Sequence, residues 1–326
     1  MTWQLHMSGA AMIAAIAAVL HAPAPSATEP APQTAPSLPE PAASDSLPLE
    51  ADRYQRMTVP VTIGGEGPFR FMIDTGAQAT VLSRQLADRL NLFERDTAIL
   101  VGMAGRTTVE TTSVANLGFG SRRFHIQTAP LVDASYIGDA DGVLGTDSLQ
   151  SQRVLLDFVK RQILIADAEE LGGNRGYEII VKARRRLGQL IITQARFEGL
   201  AVSVIVDTGA QSSIGNLALL EKLRNRRTLG ESTLTDINGQ QLAGPSKIVR
   251  DLSVGRLSLK NFPVLFADSP PFHALGLNEK PAIILGMSEL RLFRRVAIDF
   301  SSGLILFDLP RDVRGFDSMH GGIIGS

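Results

Sequence analysis

The chain has 326 residues, 44% of them apolar, a formal net charge of −1 and no cysteine. Its length and apolar content allow two domains of modest size, each burying a core of its own. The missing cysteine excludes a disulfide framework, thiolate catalysis and cysteine-ligated zinc, and the near-zero charge supplies no global field to recruit nucleic acid or an anionic membrane.

Residues 1–24 carry a run of small apolar residues from Ser8 to Leu20, followed by small residues suited to cleavage near Ala22 to Ala27. The run is too short to cross a bilayer comfortably and reads as a secretory signal peptide, placing the mature chain in a periplasm or outside the cell. No Lys or Arg precedes it, so the alternative is an uncleaved anchor that tethers the protein to a membrane. Residues 25–49, rich in Ala and Pro, read as a disordered spacer.

A first lobe is expected over residues 50–171. Met57 to Ile63 alternates like a strand, Gly64 to Pro68 turns the chain, and Phe69 to Ile73 forms an apolar strand that ends on Asp74-Thr75-Gly76-Ala77. Such a turn presents its Asp at a surface or seam, and Gly lets another group come close. Ser83 can cap a short helix running through Leu86 and Leu90. Val101-Gly102-Met103-Ala104-Gly105 is a bend between strands, either a flap over a substrate or an ordinary hairpin turn. Strands over Val114 to Gly120 and Phe124 to Leu131 precede Gly142-Val143-Leu144-Gly145, and Val154 to Phe158 with Gln162 to Ile165 reads as a closing hairpin.

Residues 172–176 form a Gly-rich linker, and residues 177–310 repeat the whole order. Val204-Ile205-Val206 delivers Asp207-Thr208-Gly209-Ala210, a helix follows from Asn216, and Ile237-Asn238-Gly239 makes a counterpart bend. Ile284-Leu285-Gly286 matches the earlier apolar pair before Gly, and Val296 to Phe300 with Leu304 to Phe307 makes a second closing hairpin. Short strands, Gly-rich turns and two brief helices predict an all-β fold of two tandem β-barrel lobes with a cleft between them. The tail, 311–326, has no pattern.

Two like carboxylates brought together cannot both ionise, so one acts as general base for a water and the other as general acid. At these residues the chain resembles the retropepsin-like and pepsin-like aspartic proteases, with both halves in one polypeptide. The resemblance implies that Asp74 and Asp207 are the catalytic pair, that Thr75 and Thr208 lock the two loops by mutual hydrogen bonds, and that Gly76 and Gly209 are the turn glycines. It also implies a polypeptide substrate, contacted by Ala77, Ala210, Met103, Ala104 and Gly105, and no cofactor or metal. A monomer is expected, with membrane contact only through an uncleaved leader. Three departures stand out: Thr146 and Met287 follow the apolar-Gly segments where retropepsins have Arg, no tyrosine stands on the flap, and Ala77 and Ala210 replace a hydroxyl residue of the pepsins.

Other chemistries lack their motifs. The five histidines form no ligand spacing, and no G-x-S-x-G or G-x-x-x-x-G-K is present. Arg184-Arg185-Arg186 and the cluster at 224–227 read as solvated faces, there being no interleaved aromatics for nucleic-acid stacking. The sequence therefore points to an endopeptidase, with a peptide-binding module that no longer hydrolyses as the alternative.

Overall fold

The computed structural model describes residues 57–120, 122–138, 140–223 and 228–309, with short strands at residues 6–8, 12–13, 45–48 and 50–51. The rest of the leader and spacer, the cluster at 224–227 and the tail lie outside the described residues. The chain folds as two β lobes, each built around one of the two Asp-Thr-Gly turns.

In the first lobe Met57–Ile63 and Glu66–Ile73 pair antiparallel, and the apolar residues Phe69, Phe71 and Ile73 go into the core. The chain then passes through Asp74 into Val81–Ser83 and the helix Arg84–Arg89, whose N-cap Ser83 accepts the Leu86 N–H. Asp96–Val101 and Arg106–Phe119 make a long hairpin, Arg122–Val132 pairs beside it, and Gly142–Leu144 returns to lie parallel to the strand that delivers Asp74. The second lobe follows the same path. Gln189–Phe197 and Leu200–Val206 pair antiparallel, the helix Leu217–Lys222 is capped by Asn216, Thr228–Thr235 and Gln241–Val249 form the hairpin, and Ala282–Leu285 lies parallel to Leu200–Val206.

Two expectations about these elements need correction. The helices are more than two: besides the capped pair, Thr146–Leu149, Pro270–Ala274 and Met287–Leu290 are α-helical. The first and last start at the glycines of the apolar-Gly segments, where the chain must turn sharply under the neighbouring loop. The closing hairpins form as read, but they do not close their own lobes. Arg153–Asp157 pairs antiparallel with Arg295–Asp299, and the two hairpins join Ile179–Lys182 and Asp45–Pro48 in a six-stranded sheet shared by both halves. Asp45–Pro48, assigned to the spacer, is thus an edge strand of the fold, paired with Gln162 to Ile165.

The shared sheet has a pseudo-twofold at Leu155 opposite Ala297, which sets Arg153 against Asp299 and Asp157 against Arg295. Arg153 is wholly buried. Its guanidinium donates to Asp299 Oδ2 at 2.7 and 3.2 Å, to Gly173 O at 2.5 Å and to Asn174 Oδ1 at 2.7 Å, so the interlobe linker is tied into the sheet. Burial alone would raise the Asp299 carboxyl. The Ser301 hydroxyl, the Ser302 N–H and Arg153 together hold it down at about 2 instead.

Segments of the leader touch the long hairpins: residues 6–8 pair parallel with Thr233 to Thr235, and residues 12–13 pair antiparallel with Leu100 and Val101. Arg184–Arg186 is an exposed strand. Among the described residues no helix is long and apolar enough to cross a membrane.

Candidate active site

Each Asp-Thr-Gly turn is held by the strand that returns beside it. Asp74 N–H donates to Leu144 O at 3.0 Å and Asp207 N–H to Leu285 O at 3.1 Å. The turns then fold back on their own carboxylates. Asp74 Oδ1 accepts from the N–H of Gly76 and Ala77 at 2.8 and 3.0 Å, and Asp207 Oδ1 from Gly209 and Ala210 at 2.8 and 3.1 Å. One oxygen of each carboxylate is thereby pinned, and the two carboxyl groups meet and hydrogen-bond across the lobe boundary.

Both aspartates are almost fully buried, at 1% and 2% exposure. Burial pushes Asp74 well above the ordinary carboxylate range, and the charge and hydrogen bond of Asp207 push it further. Asp207 is also raised by burial, but hydrogen bonds from Asp74, Gly209 and Ala210 oppose the shift. Such a pair shares one proton, one carboxyl keeping it while the other ionises, and the titration belongs to the pair. Gly76 is required for this contact, because a Cβ there would fall on the Asp207 carboxylate.

The threonines bind across the boundary in a reciprocal set of four hydrogen bonds. Thr75 Oγ1 donates to Val206 O at 2.9 Å and accepts the Thr208 N–H at 3.2 Å; Thr208 Oγ1 donates to Ile73 O at 2.7 Å and accepts the Thr75 N–H at 3.1 Å. A further tie escaped the sequence reading. Gln189, wholly buried in the second lobe, donates its side-chain amide to the Gly76 carbonyl of the first. Its only signal was one polar residue at the head of the apolar run Leu190-Ile191-Ile192.

The loops are braced by carboxylates of the short helices that follow the apolar-Gly segments. In the first lobe Asp147 accepts the Thr80 hydroxyl at 2.7 Å and its N–H at 2.9 Å. In the second, Glu289 accepts the Ser213 hydroxyl at 2.5 Å, and Ser213 in turn accepts the Gly286 N–H at 3.2 Å. Thr80 and Ser213 occupy equivalent positions, six residues after each Asp. Burial lifts Glu289 to about 7 and raises Asp147 as well, against the hydrogen bonds each receives.

The bend at Gly102 to Gly105 is the tip of the hairpin Asp96–Val101/Arg106–Phe119, and it reaches the counterpart tip at Asp236 to Gln240. Met103 is wholly buried, Ala104 is half-buried, and Gly105 lies against Gln240. Ala77 and Ala210 are wholly buried beside the dyad, beneath the tips. Tyr136, from outside either hairpin, packs its ring on Gly239 at the second tip. A cavity of about 250 Å³ remains along this side, lined by Thr107, Val109, Leu131, Tyr136, Ile237 and Asn238. Among the described residues no group of three or more His, Asp or Glu is placed to hold a metal ion.

The family model described as aspartyl protease matches the chain twice, over residues 59–148 and 193–288. Each match runs from the first strand of the hairpin that delivers the Asp-Thr-Gly turn into the short helix that follows the apolar-Gly segment. No curated relative matches the chain.

Proposed function

The chain belongs to the aspartyl protease family, and from that premise we propose that it is an endopeptidase in which Asp74 and Asp207 activate a water against the scissile peptide bond. The observation that carries this reading is the meeting of two buried carboxylates, each with one oxygen pinned by two turn N–H groups. Pinning fixes the direction of the remaining oxygens at no cost during the reaction.

In this mechanism the ionised carboxylate of the pair takes a proton from the water as it attacks the carbonyl carbon. The protonated one gives its proton to the carbonyl oxygen, and the gem-diol collapses when one carboxyl of the dyad protonates the leaving nitrogen while the other, now ionised, takes a hydroxyl proton and the C–N bond breaks. No covalent enzyme intermediate forms. The peptide lies extended beneath the hairpin tips and pairs with their strands. Both carboxylates come from one chain, so a monomer suffices. The apolar leader and the Ala/Pro-rich spacer favour export, with envelope or extracellular proteins as substrates; retention of the leader would anchor the enzyme at a membrane.

The test is cleavage of a peptide library by the full chain, beside Asp74→Asn and Asp207→Asn. Each variant should lose cleavage by at least about 10³-fold while keeping its fold by circular dichroism. Equal cleavage by all three would dismiss the dyad, and silence of the wild type would favour a peptide-binding module. The activity maximum should fall at weakly acidic to neutral pH, since burial raises both carboxyls and no hydroxyl follows either turn glycine. A maximum near pH 2 would count against this.

A further inference from the structure

The two hairpin tips touch, and they are chemically unlike. Gly102-Met103-Ala104-Gly105 has one long side chain, whereas Asp236-Ile237-Asn238-Gly239-Gln240 carries three polar ones. The polar side chains of the second tip occupy the space that side chains would take on the first: a Cβ at Gly102 would fall on Asp236, and one at Gly105 on Gln240. Asp236 is wholly buried. Its Oδ2 accepts the Ala104 N–H at 3.0 Å, while Oδ1 accepts the Asn238 and Gln240 N–H groups of its own hairpin at 2.9 and 3.0 Å. Gln240 donates to Thr107 Oγ1 at 2.9 Å, and Ser269 of the second lobe donates to Met103 O at 2.6 Å.

The apolar residue of each tip is buried in the opposite lobe. Met103 belongs to a cluster with Ile191, Ile205, Ala210, Ile214 and Ile284, and Ile237 to one with Met72, Ala77, Val81, Val132 and Val143. Ile205 and Ala210 flank Asp207 in sequence as Met72 and Ala77 flank Asp74. Each plugged pocket therefore adjoins one carboxylate.

We propose that Asp236 and Ser269 latch the crossed tips, so that Met103 and Ile237 plug the two apolar pockets beside the dyad and a peptide enters by replacing them with its own apolar side chains. The second half of this statement rests on the endopeptidase reading; the latch does not. It makes the free enzyme self-covered and sets its preference for apolar residues on both sides of the cut bond.

The latch is tested without activity, by hydrogen peroxide oxidation of the full chain with methionine sulfoxide read by mass spectrometry. In the wild type Met103 should oxidise as slowly as the buried Met72 and Met287. In Asp236→Ala it should oxidise at least about fivefold faster while those two stay slow. Equal Met103 rates in wild type and variant would overturn the latch. Should all three accelerate together, the variant has loosened its lobes and Ser269→Ala decides: at least about twofold faster oxidation of Met103 alone supports the latch, and no change overturns it. The plug is tested by Met103→Ala, which should lower KM at least about threefold for a peptide with apolar residues on both sides of the cut. A raised KM would show that Met103 serves the bound state and would overturn the competition. A wild type that cuts nothing would fail the endopeptidase reading, while the oxidation result would still judge the latch.

Discussion

Gly76 shows most directly how one residue carries the site, because its missing Cβ is the space that the Asp207 carboxylate fills. Gly76→Ala must displace that carboxylate or its own turn, and a shift of even about 1 Å at reacting groups costs on the order of 10²-fold in rate. The expected result is a fall in kcat of that size with KM little changed, measured on any peptide that the wild type cleaves; undiminished kcat would show that the two turns need not approach so closely. That the aspartates, threonines and turn glycines would sit together was legible in sequence because their placement depends on a local motif that occurs twice. Gln189, Asp236 and Tyr136 were not, since each acts on a partner in another hairpin or lobe, 113, 132 and about 100 positions away. No local pattern distinguishes a polar residue at a hairpin tip that meets solvent from one that meets a second tip. The carboxylate braces fall between: Thr146 and Met287 told that Arg was absent, but not that Asp147 and Glu289 would hold the loops from the next turn of chain.

At the level of elements, the strands, the capped helices and the paired hairpins followed from alternation, capping residues and Gly-rich turns. What alternation does not specify is the partner of a strand buried on both faces. Val154 to Phe158 and Val296 to Phe300 are nearly continuous apolar runs, equally able to close a lobe or pair with each other. The polar clue was the repeated Arg and Asp at their ends, Arg153 with Asp157 and Arg295 with Asp299, which antiparallel pairing sets opposite one another. Because Arg153 and Asp299 are both about 1% exposed, removing one partner leaves a buried charge. Asp299→Ala should cost about 3–5 kcal/mol, whereas the double change Arg153→Met with Asp299→Leu should cost much less or nothing. Urea denaturation midpoints check this, and equal losses in the single and double variants would show that the pair is not a closed electrostatic unit. The seam should feel it most, since the same guanidinium holds Gly173 and Asn174 of the linker.

For the whole molecule two sets of buried carboxyls have opposite pH consequences. Asp299 is held at about 2 in the folded chain against 3.8 in the unfolded one, so its stabilisation is fully present above 3.8 and is lost as pH falls through 2. Glu289 is lifted from 4.5 to about 7. The folded state then binds the proton more tightly, its stabilisation is fully present below 4.5, and stability falls as pH rises from there to about 7. That difference is worth as much as about 3 kcal/mol. The dyad and Asp147, also raised, act in the same direction as Glu289. Thermal stability should therefore peak at about pH 4 and decline on both sides, below the pH at which the raised dyad is expected to work best. Glu289→Gln keeps an acceptor for the Ser213 hydroxyl but cannot ionise, so it should flatten the decline between pH 4.5 and 7 and leave the acid limb unchanged. Melting temperatures across pH 2–8 for wild type and Glu289→Gln decide the point. An unaltered slope above pH 4.5 would mean that the buried carboxyl on the bracing helix is not the group that destabilises the lobes as it loses its proton.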